Sequence, residues 1–116
     1  MDQLKQRRTA VGYARVSTGD QAGHTSLHSQ EERIREWCDR KGFELVAMFW
    51  DEGVPAYTDD VSGRPGLATL LELLPELRPA TVVVYRLDRL TRNLGVASES
   101  LHQLGALGIA LASVTE

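Results

Sequence analysis

The chain has 116 residues, of which 42% are hydrophobic, so it can bury one ordinary core but not two independent domains. No run reaches 18 apolar residues, and the first nine residues lack the apolar core of a signal peptide. We therefore expect neither a membrane span nor a secretory signal, and a cytoplasmic location. The formal net charge of -3 excludes the broad positive surface of a free-standing DNA-binding domain.

The first half of the chain predicts a strand, a helix and a second strand. Residues 10–16 (AVGYARV) are apolar and β-prone, and turn-forming residues follow. A helix is expected to begin near Ser26 or Ser29, where Ser29-x-x-Glu32 fits a capping box, and to end before Gly42. Residues 45–50 (LVAMFW) form the second predicted strand. The predicted inner stripe of the helix consists of Leu27, Ile34, Trp37 and Cys38.

The second half repeats this alternation. Pro65 is a favourable first helical residue, and leucines then recur at helical spacing at positions 67, 70, 71 and 74. Residues 80–87 (ATVVVYRL) are almost entirely apolar, as expected of a central strand that is covered on both faces. A further helix is expected from Asn93 to Gly108, and a last strand at 109–114. The inner stripe of that helix consists of Leu94, Ala97, Leu101 and Leu104.

Strands that alternate with helices indicate an α/β fold. Parallel neighbouring strands need crossover connections, and these are usually helices. We therefore expect a single three-layer domain over residues 1–116, with a mainly parallel sheet of four to five strands and helices on both faces.

Two polar clusters follow the first and third predicted strands, at residues 15–18 and 88–92. Because functional sites of open parallel sheets lie beyond the carboxyl ends of the strands, these clusters should be neighbours. Side chains alternate along a strand, so Arg15 and Ser17 should point to the same side. Gln30 is a polar residue on the inward stripe of the first helix and needs a partner.

Each of these residues also has a purely structural interpretation. Ser17 could be an ordinary turn residue, Gln30 an amide satisfied by backbone, and Arg64 a solvated charge. Asp88 and Arg92, four residues apart at a helix start, could form an exposed ion pair. Their convergence on one sheet edge favours a functional site instead.

No metal site is predicted. The only cysteine, Cys38, excludes an internal disulfide and is expected to be a small buried residue. His24 and His28 are four residues apart, but no third ligand is close to them or to His102 in sequence. We expect His24 and His28 in a loop.

Four motifs follow one another in order and cover nearly the whole chain. They are Tyr13-Ala14-Arg15-Val16-Ser17-Thr18, Gln30, Arg64-Pro65-Gly66 and Leu87-Asp88-Arg89-Leu90-Thr91-Arg92. These motifs resemble those of serine site-specific recombinases of the resolvase/invertase type, and the thirteen-residue step from Ser17 to Gln30 resembles the large serine integrases most. The resemblance implies a resolvase-like catalytic domain, encoded by a bacterium or phage and acting at the nucleoid.

The resemblance also implies a reaction: DNA strands are cut and rejoined through a covalent 5′-phosphoserine at Ser17, without ATP, metal or any other cofactor. Guanidiniums would stabilise the developing phosphate charge, since they donate hydrogen bonds in pairs. Asp88 would orient an arginine or protonate the leaving oxygen, and Gln30 would hold the serine or a phosphate oxygen. The arginines implied are Arg15, Arg89 and Arg92, with Arg64 reaching in from a loop.

The sequence departs from the family pattern at two places. Pro55 stands where the family usually has a serine, and no lysine or arginine occurs among residues 67–74. The family continues into a long oligomerisation helix and DNA-binding domains, so we expect this chain to be a truncated catalytic domain. The implied partners of the full-length protein are double-stranded DNA and further copies of itself, in dimers and tetramers.

Two alternatives remain open. One is a recombinase-derived regulatory or scaffold domain that no longer cuts DNA, which the departure at Pro55 would fit. The other is a nucleotide-binding α/β module, but it would need a glycine-rich phosphate loop after the first strand, and Arg15-Val16-Ser17-Thr18 is not one.

Overall fold

A parallel sheet forms the centre of the domain. The computed structural model describes residues 8–16, 26–52, 65–85 and 102–115. The four strands lie in the order β2-β1-β3-β4, and every neighbouring pair is parallel. The predicted α/β fold is confirmed. In chain order the elements are β1 (Thr9–Val16), α1 (Leu27–Lys41), β2 (Glu44–Glu52), α2 (Pro65–Leu77), β3 (Thr81–Val84) and β4 (Ala110–Ser113).

Helices cover both faces of the sheet. Ile34 and Cys38 of α1 pack on one face, against Ala10 and Val83. On the other face, α2 and the helical residues 102–107 enclose the larger of two hydrophobic clusters. The buried members of that cluster are Val11, Tyr13, Leu67, Leu70, Leu71, Leu74, Val82, Val84, Leu104 and Ile109.

Strand β1 presents small residues to α1 and large residues to α2. Ala10 and Gly12 lie on the α1 face, whereas Val11 and Tyr13 belong to the opposite cluster. A Cβ placed on Gly12 would lie 2.6 Å from the sulfur of Met48 and 3.1 Å from Cγ2 of Ile34. Helix α1 therefore packs close to the backbone of β1.

The first helix begins at the earlier of the two predicted positions. Ser26 is the N-cap, and its hydroxyl accepts a hydrogen bond from the backbone N–H of Ser29 at 3.1 Å. The predicted capping box from Ser29 to Glu32 is wrong, because Ser29 already lies within α1. Gly42 ends the helix in the left-handed conformation, with φ of 81°, as predicted.

The leucine stripe of the second helix is confirmed, since all four leucines are buried. Strand β3 is also buried along its length, as a central strand should be. Gly108 has a φ of 72° after helical residues 102–107, and residues 93–101 of the predicted third helix lie outside the described residues. No helix within the described ranges is long and apolar enough to cross a membrane.

Candidate active site

The two predicted polar clusters follow neighbouring strands. Strands β1 and β3 are hydrogen-bonded partners, and their pairing ends at Tyr13 and Val84. Strand β1 continues to Val16, and residue 17 comes next in the sequence. Because β1 and β3 are parallel neighbours, both strands end at the same edge of the sheet. Of the predicted site residues, Arg15 and Gln30 are described, whereas Ser17, Arg64, Asp88, Arg89 and Arg92 lie outside the described residues.

The structure brings Gln30 and Arg15 together. The backbone N–H of Arg15 donates to Oε1 of Gln30 at 3.3 Å, and Nε2 of Gln30 donates to the Arg15 carbonyl oxygen at 3.1 Å. Gln30 is fully buried, so these bonds satisfy groups that have no access to water. One side chain of α1 thus fixes the backbone of β1 two residues before Ser17.

The close packing of α1 on β1 explains how Gln30 reaches the strand. Gln30 lies one turn before Ile34 on the buried stripe of α1, and Ile34 packs over Gly12. A carboxamide is short, so it can bond the backbone of a strand only where the helix approaches closely. The glycine at residue 12 permits that approach because it has no side chain.

Arg15 is a buried cation. Its side chain is only 1% exposed, although arginine is rarely buried so fully in proteins. Burial of a guanidinium is costly unless charges or hydrogen bonds compensate for lost hydration. Arg15 is therefore not a solvated surface charge, and its backbone lies beside that of Asp51 in the strand register.

Asp51 is a third polar residue at this edge, and the sequence interpretation did not single it out. It is 3% exposed at the end of β2. Its Oδ2 accepts hydrogen bonds from the hydroxyl of Tyr13 at 2.7 Å and from the N–H of Leu67 at 2.9 Å, and its Oδ1 accepts from the N–H of Gly66 at 2.7 Å. This carboxylate joins two strands to the first turn of α2.

Gly66 allows α2 to sit directly on β2. A Cβ at this position would overlap the carbonyl oxygen of Trp50 and lie 3.1 Å from Cγ of Asp51. The Arg-Pro-Gly motif therefore contains a glycine that close backbone packing requires. The signal that could have identified Asp51 is its place at the carboxyl end of the second predicted strand, the same edge on which the other candidates were placed.

The histidines contribute nothing to this site within the described residues. His28 is exposed on α1 and lies 3.2 Å from Glu32, so its predicted loop location is wrong, while His24 lies outside the described residues. Among the described residues, no group of three or more histidine, cysteine, aspartate or glutamate side chains could hold a metal ion. Cys38 is buried, as predicted.

Solved structures of serine recombinases share this architecture. The catalytic domain of ISC1926 TnpA, an IS607-like serine recombinase, matches with a TM-score of 0.75 and 27% identity over 93% of this chain and 68% of that one. The catalytic domain of TP901-1 integrase matches with a TM-score of 0.74 over 92% of this chain and 77% of that one. Its identity of 24% shows the shared fold alone.

Similar sequences come from mobile elements. The Tn552 DNA-invertase BinR of Staphylococcus aureus is 34% identical over 110 residues, which are 91% of this chain and 47% of that protein. A DNA-invertase of Enterobacteria phage P7 is 34% identical over 106 residues, 91% of this chain and 48% of that one. The chain thus spans about half the length of these relatives. The family model described as "Resolvase, N terminal domain" matches residues 10–116, and the chain therefore belongs to the resolvase family of serine recombinases, as an N-terminal domain.

Proposed function

We propose that the chain is the catalytic domain of an enzyme that cuts and rejoins DNA in site-specific recombination, with Ser17 as nucleophile. The observation that carries this proposal is the match to the resolvase N-terminal domain over residues 10–116. The Gln30 carboxamide on the backbone of Arg15, at the end of the strand that leads into Ser17, supports it. A nucleophile needs a fixed position relative to the groups that stabilise charge. This clamp supplies a rigid start for the Arg15-Val16-Ser17 segment.

The proposed reaction is a reversible transesterification. The hydroxyl oxygen of Ser17 attacks the scissile phosphorus and releases its proton to water, while the bond from phosphorus to the 3′ oxygen breaks. The 3′ oxygen leaves as a hydroxyl. Its proton comes from Asp88, or from water if Asp88 instead orients an arginine. One phosphodiester is exchanged for another, so the 5′-phosphoserine bond conserves the energy for rejoining, and neither ATP nor a metal ion is needed.

Arginines would stabilise the transition state. A pentavalent phosphate carries extra negative charge, and guanidiniums stabilise it through paired hydrogen bonds. Arg15, Arg64, Arg89 and Arg92 are the proposed donors. The burial of Arg15 at the strand end supports this role, because charge interactions are stronger where water is excluded.

Gln30 would act mainly through the strand. Both ends of its carboxamide are bonded to Arg15, so it positions the backbone that precedes the nucleophile. A further contact from Gln30 to Ser17 or a phosphate oxygen remains part of the proposal.

The substrate would be double-stranded DNA at recombination sites, in the cytoplasm of a bacterium. The curated relatives are about twice as long as this chain, so segments beyond the family match would supply DNA affinity and contacts for dimers and tetramers. The net charge of -3 is compatible with this proposal, since the catalytic domain need not bind DNA alone.

Trapping of the covalent intermediate tests the proposal. The full-length protein is incubated with a nicked duplex that carries its recombination site, so that the cleaved end diffuses away and rejoining fails. A covalent protein–DNA adduct is expected. After nuclease treatment, trypsin should release the peptide of residues 16–33 with a phosphate, and fragmentation should place that phosphate on Ser17 rather than Ser26 or Ser29.

Ser17→Ala should abolish the adduct, and Arg92→Ala should reduce it strongly. Ser113→Ala is the matched control, because Ser113 ends β4 at the same sheet edge. This variant should still form the covalent adduct. An adduct that survives Ser17→Ala would show that another residue is the nucleophile. A protein that binds the site but forms no adduct would instead be a non-catalytic regulatory or scaffold domain.

A further inference from the structure

The backbone of Tyr85 is held by the end of β4. Tyr85 follows β3 and is the last described residue before the predicted polar cluster at residues 88–92. The pairing of β3 with β1 and with β4 ends one residue earlier, at Val84. Beyond that pair, the N–H of Val114 donates to the Val84 carbonyl oxygen at 2.9 Å, and the N–H of Thr115 donates to the Tyr85 carbonyl oxygen at 3.1 Å.

Two hydroxyl groups donate to the same carbonyl oxygen of Tyr85. The hydroxyl of Thr115 lies 3.1 Å from it, and the hydroxyl of Ser113 lies 3.4 Å from it. A carbonyl oxygen has two lone pairs, and Thr115 can bond both of them, with its backbone N–H and with its side chain. The Ser113 contact is long for an O–H···O hydrogen bond. Thr115 is therefore the main donor to Tyr85.

This arrangement is the counterpart of the Gln30 contact on β1. The two central strands, β1 and β3, pair with each other, and just past their last mutual pair a side chain from a neighbouring segment bonds the backbone of each. Ser17 comes shortly after the bonded residue of β1, and Asp88 comes three residues after Tyr85. Both predicted polar clusters therefore follow strand ends that side chains hold in place.

We propose that Thr115 is a positioning residue for the Asp88-Arg89 segment, because its hydroxyl fixes the Tyr85 carbonyl from which the chain continues toward these two residues. The inference rests on the proposed function, which gives Asp88 and Arg89 their roles at the phosphate. Thr115 itself contacts neither DNA nor Ser17 in this proposal, so its effect on the rate passes through the position of that segment.

The rate of covalent adduct formation at saturating DNA tests this role in the full-length protein. Thr115→Val keeps the branched shape and the backbone N–H of the residue but removes its hydroxyl. The rate should fall about five-fold, the size of effect expected from one lost hydrogen bond. Thr115→Ser keeps the hydroxyl and should stay within about two-fold of the unsubstituted protein. Ser113→Ala removes only the longer contact and should also stay within about two-fold.

Thr81→Val is the matched control. It makes the same chemical change between β3 and β4 at the opposite edge of the sheet, where the hydroxyl of Thr81 donates to the carbonyl oxygen of Ala110 at 3.1 Å. Urea denaturation measures how far each valine variant lowers stability, and the rates are compared at equal folded fractions. Thr81→Val should then stay within about two-fold of the unsubstituted rate, since it is far from the segment. Equal losses for the two valine variants, or no loss for Thr115→Val, would overturn the proposal.

A second measurement does not depend on cleavage. Spin labels are attached at Ser17→Cys and Arg89→Cys in a Cys38→Ala background, and the distribution of distances between them is recorded without DNA. Thr115→Val should shift or broaden this distribution, whereas Thr81→Val should leave it unchanged. An unchanged distribution in Thr115→Val would refute the positioning role. If the unsubstituted protein forms no adduct at Ser17, the proposed function fails, and the distance measurement still decides the role of Thr115.

Discussion

The side-chain amide of Gln30 bonds the backbone of Arg15 in the way that a neighbouring strand would. The pairing of β1 with β3 ends at Tyr13 and Val84, and two residues later both backbone groups of Arg15 are bonded to Gln30 instead. The N–H and C=O of one residue in a parallel strand point to the same neighbour, so a carboxamide can satisfy both. Past its last pair with β3, strand β1 is therefore held by β2 on one side and by Gln30 on the other.

Gln30→Leu should destabilise the domain by about 1–3 kcal/mol, because it leaves the buried N–H and C=O of Arg15 without these bonds. Urea denaturation measures the change. Glu36→Gln, on the exposed side of the same helix, is the control and should have little effect. The rate of adduct formation should also fall in Gln30→Leu and not in Glu36→Gln. Equal stability of the two variants would contradict the clamp.

Gly66→Ala should destabilise the domain by about 1–3 kcal/mol or more, since the added methyl group overlaps the carbonyl of Trp50 and must displace α2. Gly105→Ala is the matched change. A Cβ at Gly105 meets nothing within 4 Å, so in a helical segment alanine should stabilise by about 0.5–1 kcal/mol. In thermal unfolding, the melting temperature should fall for Gly66→Ala and rise for Gly105→Ala. A neutral Gly66→Ala would show that α2 does not lie this close to β2.

Ser26→Ala should cost about 1 kcal/mol in unfolding free energy, because the N-cap bond to the N–H of Ser29 is lost. Ser29→Ala, within α1, should change stability by less than about 0.5 kcal/mol. If urea denaturation showed the larger loss of stability for Ser29→Ala, the helix would start at Ser29 instead.

Cys38 should react slowly with iodoacetamide in the native protein at neutral pH. Burial raises the pKa of its thiol, and the nearby charge of Asp39 raises it further, with a smaller opposing effect from Arg35. A raised pKa lowers the fraction of reactive thiolate, and the side chain is only 1% exposed. Unfolding in urea should restore rapid alkylation. Fast modification of the native protein would contradict the burial of this residue.

The order and type of the described elements could be predicted from the sequence because the signals are local. The leucine stripe of α2 corresponds to a burial pattern with the helical period of 3.6 residues, and the apolar run of β3 corresponds to a strand that is buried at every position. The start of α1 could not be fixed from the sequence, since both Ser26 and Ser29 fit a cap locally. Packing of the whole helix decides between them, and the sequence around the cap does not contain that information.

The candidate site was only partly predictable. The inward position of Gln30 showed that it needs a partner, and a backbone partner was one of its two interpretations, which the structure confirms. The sequence could not say which strand residue supplies that partner, since every residue type has the same backbone. Asp51 belongs to none of the four motifs, and its three donors come from residues 38, 15 and 16 positions away in sequence. Contacts at such separations depend on the assembled fold and leave no local pattern.

The absence of a side chain at Gly12 affects both the packing of the core and the position of Gln30 beside Arg15. The packing of Ile34 over Gly12 sets the height of α1 above the sheet, and Gln30 reaches Arg15 only at that height. An engineered variant with a larger residue at position 12 would gain apolar volume in the interior but lift α1 away from the strand. The same glycine therefore serves the core, where a Cβ would lie 2.6 Å from the sulfur of Met48, and the contact of Gln30 with the strand that leads to the proposed nucleophile.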